Sequence, residues 1–389
     1  MFDPRYLTVF GAALTQFTVI GLLFSYGVFF AEFEAEFGWS RTLLSACTAA
    51  AFFFMGVLAI FGGRLNDRLG PRPVLMTTGA IYGLGFALIS QVQAPWQLLA
   101  IFASFLAIGL GTHDVVTLST IARWFEKRRG VMSGLVKVGT AFGQIAVPPL
   151  AAVLILAFGW RDALVVMGLV AAALLVLAAL TMSPPPERDP AAPEPRPGLS
   201  VAEARTMRSF WTLCAMQFLF FPVLITVPTH IAVHGMDLGL SKPAAAALLS
   251  VIGGASIAGR LVVGTLSDRI GGRNAYLVCL ACLSASLVAL TLTASPVALF
   301  AVIAVYGFAH GGLFTVVSPT IAETFGMRAH GAIFGVVVFF GTTGGALGPI
   351  LAGWVFDTTG SYTPAFVTLA VAAALAAALT RTLPRAIAA

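Results

Sequence analysis

Charge is scarce in this chain. Asp, Glu, Lys and Arg make up 10% of its 389 residues, against 59% hydrophobic ones. A soluble domain of that length could not hide so much apolar surface, so the composition excludes a water-soluble globular protein and points to a polytopic membrane protein. Cysteine is scarce too. Cys47, Cys214, Cys279 and Cys282 all lie in apolar stretches. Cys279-x-x-Cys282 has a metal-like spacing but no His or second pair beside it, so it reads as two small packing residues, and no metal or cofactor is expected. Nucleophile elbow, phosphate loop and Ser/His/Asp arrangement are missing, and no stretch could form a sizeable catalytic domain, so nothing supports an enzyme. Gly111 and its neighbours read as helix-packing residues, not a nucleotide fingerprint. The first apolar run, from Tyr6, has no small-residue cleavage site and reads as a span, not a signal peptide.

What charge there is has a pattern. The formal net charge is +6, and 17 of the 22 Lys and Arg fall in alternate loops and the two termini. Arg41, Arg161 and Lys242 fall in the other loops, and Lys137 and Arg260 lie within spans. Positive charge collects on the cytoplasmic side, so both termini are expected in the cytoplasm, with an even number of spans across a plasma or bacterial inner membrane. The basic balance is thus topology, and no nucleic-acid partner is implied.

Hydropathy and loop punctuation predict twelve helices near the roughly 20 residues a bilayer needs. They fall at 6–30, 43–63, 73–91, 96–122, 130–156, 162–182, 210–233, 243–267, 275–293, 296–322, 331–356 and 363–382. Ser183–Ser209, with seven prolines in Pro184–Pro197, reads as a disordered, partly extended cytoplasmic linker. The expected division is therefore a six-helix bundle at 1–182, a linker at 183–209 and a second bundle at 210–389.

The two halves repeat. Gly63-Arg-Leu-Asn-Asp67-Arg68-Leu-Gly70 recurs as Gly264-Thr-Leu-Ser-Asp268-Arg269-Ile-Gly271, offset by 201. Thr120-Ile-Ala-Arg-Trp-Phe125 recurs as Thr320-Ile-Ala-Glu-Thr-Phe325, offset by 200. Two homologous bundles argue for a rocking transporter with its site at the midplane between them. In the repeated motif Gly allows close contact and a tight turn, Asp suits a helix N-terminus and Arg anchors the cytoplasmic side. Its expected role is structural and gating.

At these motifs the chain resembles the major facilitator superfamily. The resemblance implies an all-α polytopic membrane protein with the major facilitator fold, twelve transmembrane helices in two pseudo-symmetric six-helix bundles. A narrower resemblance lies in Trp124-Phe-Glu-Lys-Arg-Arg129-Gly-Val-Met-Ser-Gly134-Leu-Val-Lys137-Val-Gly139, similar to the fifth-helix motif of the monocarboxylate transporter and oxalate/formate antiporter group. Gly21–Arg41 and Thr229-His230 with Asp237-Leu-Gly-Leu-Ser241 are similar to that group too. Arg260 matches its carboxylate-binding position. The first helix lacks the Lys of animal monocarboxylate transporters, and the eleventh lacks the second cation of an oxalate exchanger. Ser256 stands four residues before Arg260, where some relatives carry Asp or Asn.

Arg260 is the residue around which the functional reading turns. A guanidinium at the centre of a lipid-embedded helix costs about 2.5–3.5 kcal/mol, so it should face a wet cavity or a partner. Its planar fork fits a carboxylate two-pronged. Arg260 lies two helical turns inside the end of its apolar stretch and either holds an anionic substrate, sits in a fixed ion pair or snorkels. Besides it, only Asp114 and Lys137 are acids or bases well inside a span. The matching positions of the other half are Ala59 for Arg260, Val338 for Lys137 and Phe314 for Asp114, so the scaffold alone does not require these charges.

Lys137 shares a helical face with Ser133, Thr140, Ala141 and Gln144, a stripe suited to a hydrated wall. It is either a second anion contact, a proton-linked site, or one member of a stable pair with Asp114. The superfamily fold implies that the fifth and eighth helices meet, which would bring Lys137 near Arg260. His113, Thr117 and Thr120 share a face of the fourth helix, and Tyr306, His310 and Phe314 are spaced by four on the tenth. Thr15, Thr18, Leu22 and Ser25 on the first helix and Thr226 and His230 on the seventh are further wall residues. Histidine titrates near neutrality and a carboxylate in low dielectric shifts upward, so Asp114, His113, His230 and His310 are candidates to carry a proton, each histidine being equally readable as a hydrogen-bonded packing residue.

The embedded charges sum to +1, which one carboxylate would neutralise, and protonation of Asp114 would leave +2. The expected function is secondary active transport of small organic anions, chiefly monocarboxylates, by alternating access with a coupled proton. The substrate-binding set is Arg260, Lys137, His310, His113, Tyr306, Phe314 and Ser256, and the proton-coupling set Asp114, Lys137 and His230. The expected partners are a small carboxylate, protons and the lipid bilayer, for a monomeric chain. A carboxylate exchanger remains open; a proton-driven drug exporter or a non-transporting anion sensor has less support.

Overall fold

The computed structural model describes residues 3–39, 41–184, 198–293 and 295–384. Every regular element among them is helical. The helices are α1 (Pro4–Ser25), continued through a 3₁₀ turn (Tyr26–Phe29) into α2 (Phe30–Phe37), then α3 (Arg41–Leu69), α4 (Pro71–Ile89) and α5 (Pro95–Ile101). A π turn (Phe102–Leu106) leads into α6 (Ala107–Trp124), followed by α7 (Arg129–Thr181), α8 (Val201–Thr206) and α9 (Arg208–Asp237). α10 (Lys242–Ile270), α11 (Gly272–Leu292), α12 (Pro296–Phe325), α13 (His330–Thr359) and α14 (Thr363–Thr380) complete the series. Among the described residues, 11 helical runs are long and apolar enough to cross a membrane. The 53-residue α7 is one of these runs, and it is two helices joined at Gly159, whose φ of 79° only glycine adopts freely. Among the described residues the count of membrane helices is thus twelve. In lipid each backbone polar group must be satisfied within its own segment, which is why helices are the form the apolar runs take.

Several sequence expectations need correction. The segment Ser183–Ser209 is not unstructured throughout. Val201–Thr206 is a helical turn, because Ser200 and Glu203 form a reciprocal capping box: Ser200 Oγ accepts from the Glu203 N–H (3.2 Å), and Glu203 Oε2 accepts from the Ser200 N–H (2.6 Å). Residues 185–197, which hold most of the prolines, lie outside the described residues. The first span ends at Phe29, close to the expected residue 30, and the chain stays helical beyond it through α2 to Phe37. The predicted helices 43–63 and 243–267 end too early, and the repeated Gly-x-x-x-Asp-Arg-x-Gly motifs lie mostly within helix. Helix persists through Asp67 and Arg68, and through Asp268 and Arg269, and the chain turns only at Gly70 (φ 79°) and Gly271 (φ 80°). Arg260 consequently stands nearly three turns from its helix end, not two.

The chain clusters into two compact units. The first holds Met1–Glu126, Leu135–Gly198 and Met327–Gly335, and the second Lys127–Gly134, Leu199–Gly326 and Val336–Ala389. In the first, α6 packs against α1, α3 and α4. Tyr82 ties α4 to α1 by donating its hydroxyl to the Val19 carbonyl (2.7 Å), and Asn66 donates to Ser119 (2.7 Å). In the second, α12 packs along α10 and α11, and α14 against α9 and α11. Small residues let these backbones close up: a Cβ at Gly311 would overlap the Ser256 carbonyl, and one at Gly259 the Phe308 carbonyl.

Two short segments cluster out of chain order, Lys127–Gly134 and Met327–Gly335, and each holds N–H groups bonded by a motif aspartate. Asp67 accepts from the N–H groups of Gly331 (3.2 Å) and Ala332 (3.0 Å), in the first turn of α13. Asp268 accepts from Gly130 (2.7 Å) and Val131 (2.9 Å), in the first turn of α7. A helix N-terminus has N–H groups without intrahelical partners and a partial positive charge, so a carboxylate there satisfies both. Gly63 and Gly264 lack the Cβ that would otherwise collide with the capped turns at Gly331 and Gly130.

Candidate functional site

In the first unit the embedded charges converge on one amide. Gln16, from α1, is 0% exposed. Its Nε2 donates to Asp114 Oδ1 (2.7 Å) and Thr117 Oγ1 (3.0 Å) on α6. Its Oε1 accepts from Thr140 Oγ1 (2.9 Å) and, at 3.5 Å, from Lys137 Nζ on α7. Lys137 also donates to Asp114 Oδ1 and forms an ion pair with it. Helical spacing puts Asp114 and Thr117 on one face of α6, and Lys137 and Thr140 on one face of α7, so a single side chain from α1 can bridge both. Lys137 is 3% exposed, and a buried charge of that kind needs an opposite charge and further hydrogen bonds to be tolerated.

His113 adds a titratable ring at the edge of this cluster. Its Nδ1 lies 2.6 Å from the Leu110 carbonyl, which can only accept, so Nδ1 carries the proton and Nε2 is left as the acceptor. Nε2 stands 3.8 Å from Asp114 Oδ1, beyond a hydrogen bond but close enough for an imidazolium to feel the carboxylate. A small cavity of about 10 Å³ lies beside the ring, lined by Thr15, Thr78, Thr112 and His113 among others, room for roughly one water molecule. Thr15, Thr18 and Ser25 turn their hydroxyls back onto the carbonyls of Gly11, Leu14 and Leu22.

The second unit holds the remaining candidates. Arg260, on α10, is 1% exposed and among the largest fully buried side chains described. Gly134, in the first turns of α7, packs against its backbone, since a Cβ there would overlap the Arg260 carbonyl. One turn earlier on α10, Ser256 Oγ lies 3.4 Å from His310 Nδ1. His310 meets the Phe314 ring edge-on at 5.0 Å, and Phe314 meets Phe221 at 5.6 Å. Tyr306 is beside His310, but its hydroxyl donates to the Val223 carbonyl (3.0 Å), tethering α12 to α9. His230 is engaged elsewhere, with Nε2 3.2 Å from the Pro349 carbonyl and Nδ1 3.2 Å from the Tyr362 hydroxyl. The carbonyl makes Nε2 the protonated nitrogen.

The structure thus brings Asp114, Lys137 and His113 together in one unit, and Arg260, Ser256, His310, Phe314 and Tyr306 onto α10 and α12 of the other. Sequence reading missed Gln16. The signal was present, an amide in an otherwise apolar first helix, but periodicity draws attention to the threonine face beside it. No group of three or more His, Cys, Asp or Glu among the described residues is placed to hold a metal ion.

The sequence description of the Major Facilitator Superfamily matches residues 12–297 and 237–387. The chain belongs to this superfamily. Monocarboxylate transporter 13 of Rattus norvegicus is 30% identical over 380 residues, covering 93% of this chain and 85% of that protein. Monocarboxylate transporter 11 of Homo sapiens is 28% identical over 364 residues, covering 89% and 76%. FucP, a superfamily transporter solved in the outward conformation, superposes with a TM-score of 0.77 at 17% identity, covering 98% of each chain, which establishes the fold. This superfamily member is therefore a membrane transporter with monocarboxylate-transporter relatives, and those relatives are transporters and not enzymes.

Proposed function

We propose that this superfamily member is a secondary active transporter of small monocarboxylates, working by alternating access with one coupled proton. The observation that carries the reading is Arg260, a guanidinium 1% exposed in the middle of an apolar helix. A permanent cation there offers a two-pronged seat for a carboxylate, and the names of the relatives support that class of substrate. The proton site is the Asp114–Lys137 pair with Gln16 and His113 beside it. With that pair neutral, the span interior carries +1, and a proton plus a monoanion add nothing to it. The empty and fully loaded carriers then have the same charge. A proton alone raises the interior to +2, the state most costly to desolvate, so the anion binds first or together with the proton.

The proposed setting is a plasma or bacterial inner membrane with both termini cytoplasmic, because basic residues concentrate in the loops on that side. The chain works as a monomer in this reading.

The test is uptake of radiolabelled lactate, pyruvate, formate, oxalate and an aromatic acid into proteoliposomes, wild type beside Arg260→Ala, with and without an inward proton gradient. One acid should enter, driven by the gradient. Arg260→Ala should cut its uptake by about thirtyfold or more, the loss expected when a buried charge contact worth 2–5 kcal/mol is removed. Normal transport by Arg260→Ala would sink the carboxylate seat. Uptake that needs internal anion and ignores the gradient would replace symport by exchange.

A further inference from the structure

The internal repeat exposes a second polar side chain that the charges had overshadowed. Gln217-Phe218 on α9 stands 201 residues after Gln16-Phe17 on α1. The structure supports the equivalence. A Cβ at Gly143 would overlap the Phe17 carbonyl, and a Cβ at Gly344, again 201 residues on, would overlap the Phe218 carbonyl. α7 therefore packs on α1 in the first unit in the same register as α13 packs on α9 in the second.

The surroundings of the two amides differ completely. Gln16 is satisfied by Asp114, Thr117, Lys137 and Thr140. At the matching positions the second half has Phe314, Val317, Val338 and Gly341, none with a polar side chain. Gln217 is 2% exposed, and its Oε1 has no hydrogen-bond partner among the described residues. A buried amide carbonyl left unmatched forfeits its hydration with nothing in return, so its retention calls for a compensating partner. The place of the Thr140 hydroxyl is vacated by Gly341, where an added Cβ would begin 3.3 Å from Gln217 Oε1. The same point lies 3.2 Å from Phe221 Cδ2. From there a row of rings leads away: Phe221 against Phe314, Phe314 against His310, and His310 against Ser256, one turn from Arg260.

We propose that Gln217 is a substrate-specificity residue, whose amide pairs with a hydroxyl carried several bonds from the carboxylate on a flat, apolar monocarboxylic acid. The proposal rests on the carboxylate reading of Arg260. Arg260 takes the acid group, the Phe221 and Phe314 rings take the carbon body, and the hydroxyl, which both donates and accepts, matches either end of the amide. A hydroxy-aromatic acid has this layout. A short acid reaches Arg260 but leaves Gln217 unmatched.

The discriminating pair is 3-(4-hydroxyphenyl)propanoate and 3-phenylpropanoate, which differ by one hydroxyl. Each is measured for kcat/KM in proteoliposomes with wild type, Gln217→Met and Arg260→Ala. Wild type should prefer the hydroxylated acid by about tenfold or more, because a site built to hydrogen-bond a hydroxyl rejects the analogue that lacks it. Gln217→Met, apolar and close in volume, should bring the ratio to about one while still moving 3-phenylpropanoate, and that flux is the control for folding. Absence of preference in wild type, or a preference unchanged in Gln217→Met, overturns the proposal; the first result does so whether or not the variant folds. The carboxylate reading fails separately, when 3-phenylpropanoate enters equally well with Arg260→Ala. Transport of small acids but of neither aromatic acid overturns the Gln217 assignment and leaves Arg260 standing.

Discussion

Asp268, in the last turn of α10, caps α7 at Gly130: its two carboxylate oxygens accept the N–H groups of Gly130 (2.7 Å) and Val131 (2.9 Å). Its repeat partner Asp67 makes the matching contacts to α13 but also pairs with Arg123. At the position of Arg123 the second half has Glu323, which accepts from the Gly272 N–H (2.8 Å) at the start of α11. Arg123 hydrogen-bonds Asp67 directly, while Arg129 and Arg128 act on Asp268 through their charge, so the two caps should differ in strength. Asp268→Asn should cost about 1 kcal/mol, as for loss of a helix cap. Asp67→Asn, which also strands Arg123, should cost about 2–3 kcal/mol, the range for charged hydrogen bonds. Thermal unfolding in detergent ranks them, and equal losses would contradict the asymmetry.

Lys137 and Asp114 are partners in a nearly buried pair, so removing one leaves the other uncompensated. Lys137→Ala should destabilise by about 3–5 kcal/mol, whereas the double change Lys137→Met with Asp114→Leu should be close to neutral. The double variant should also lose gradient-driven accumulation while retaining exchange of labelled for unlabelled substrate. Accumulation that survives in it would remove the pair from the proton path.

Gln16 acts on both helices of that pair. Gln16→Leu should cost about 1–3 kcal/mol, since Thr140 loses its acceptor and Asp114 one donor. Adding Thr140→Val should recover part of the loss, giving a coupling energy between about 0.5 and 3 kcal/mol in a double-mutant cycle. Strict additivity would show that the two side chains do not depend on each other.

Outside the spans, Glu36 receives Arg161 Nη1 and Trp160 Nε1, each at 2.8 Å, while the Arg161 guanidinium lies 4.2 Å from the centre of the Trp160 ring. The hydrogen bond from Arg161, then that from Trp160, hold the Glu36 carboxyl below its ordinary value of 4.5. A lowered folded-state pKa means that the unfolded chain binds the proton more readily. The cluster's contribution is then fully present above about pH 4.5 and is lost as the pH falls through the folded value. Stability measured from pH 7 to pH 3 should drop less steeply in Glu36→Gln than in wild type, and parallel curves would refute the linkage.

Much was legible in the chain itself. Length, apolar content and the spacing of Gly and Pro determine a bundle of membrane helices, because in lipid a backbone has almost no alternative. The offsets of 201 and 200 reveal the repeat, and the break near Gly159 is audible in the loop between two apolar runs. Arg260, Lys137 and Asp114 stand out for the same energetic reason, that a charge in a span is too costly to be accidental. Tertiary structure alone decided who meets whom. Periodicity reports the face on which a residue lies, not the atom opposite. So the sequence contained Gln16 without disclosing that it joins Asp114 to Thr140, and the motif aspartates without disclosing that they cap α13 and α7. Gln217 needed both: its kinship with Gln16 is written in the repeat, whereas its unmatched carbonyl follows from packing, where Gly341 leaves nothing to donate.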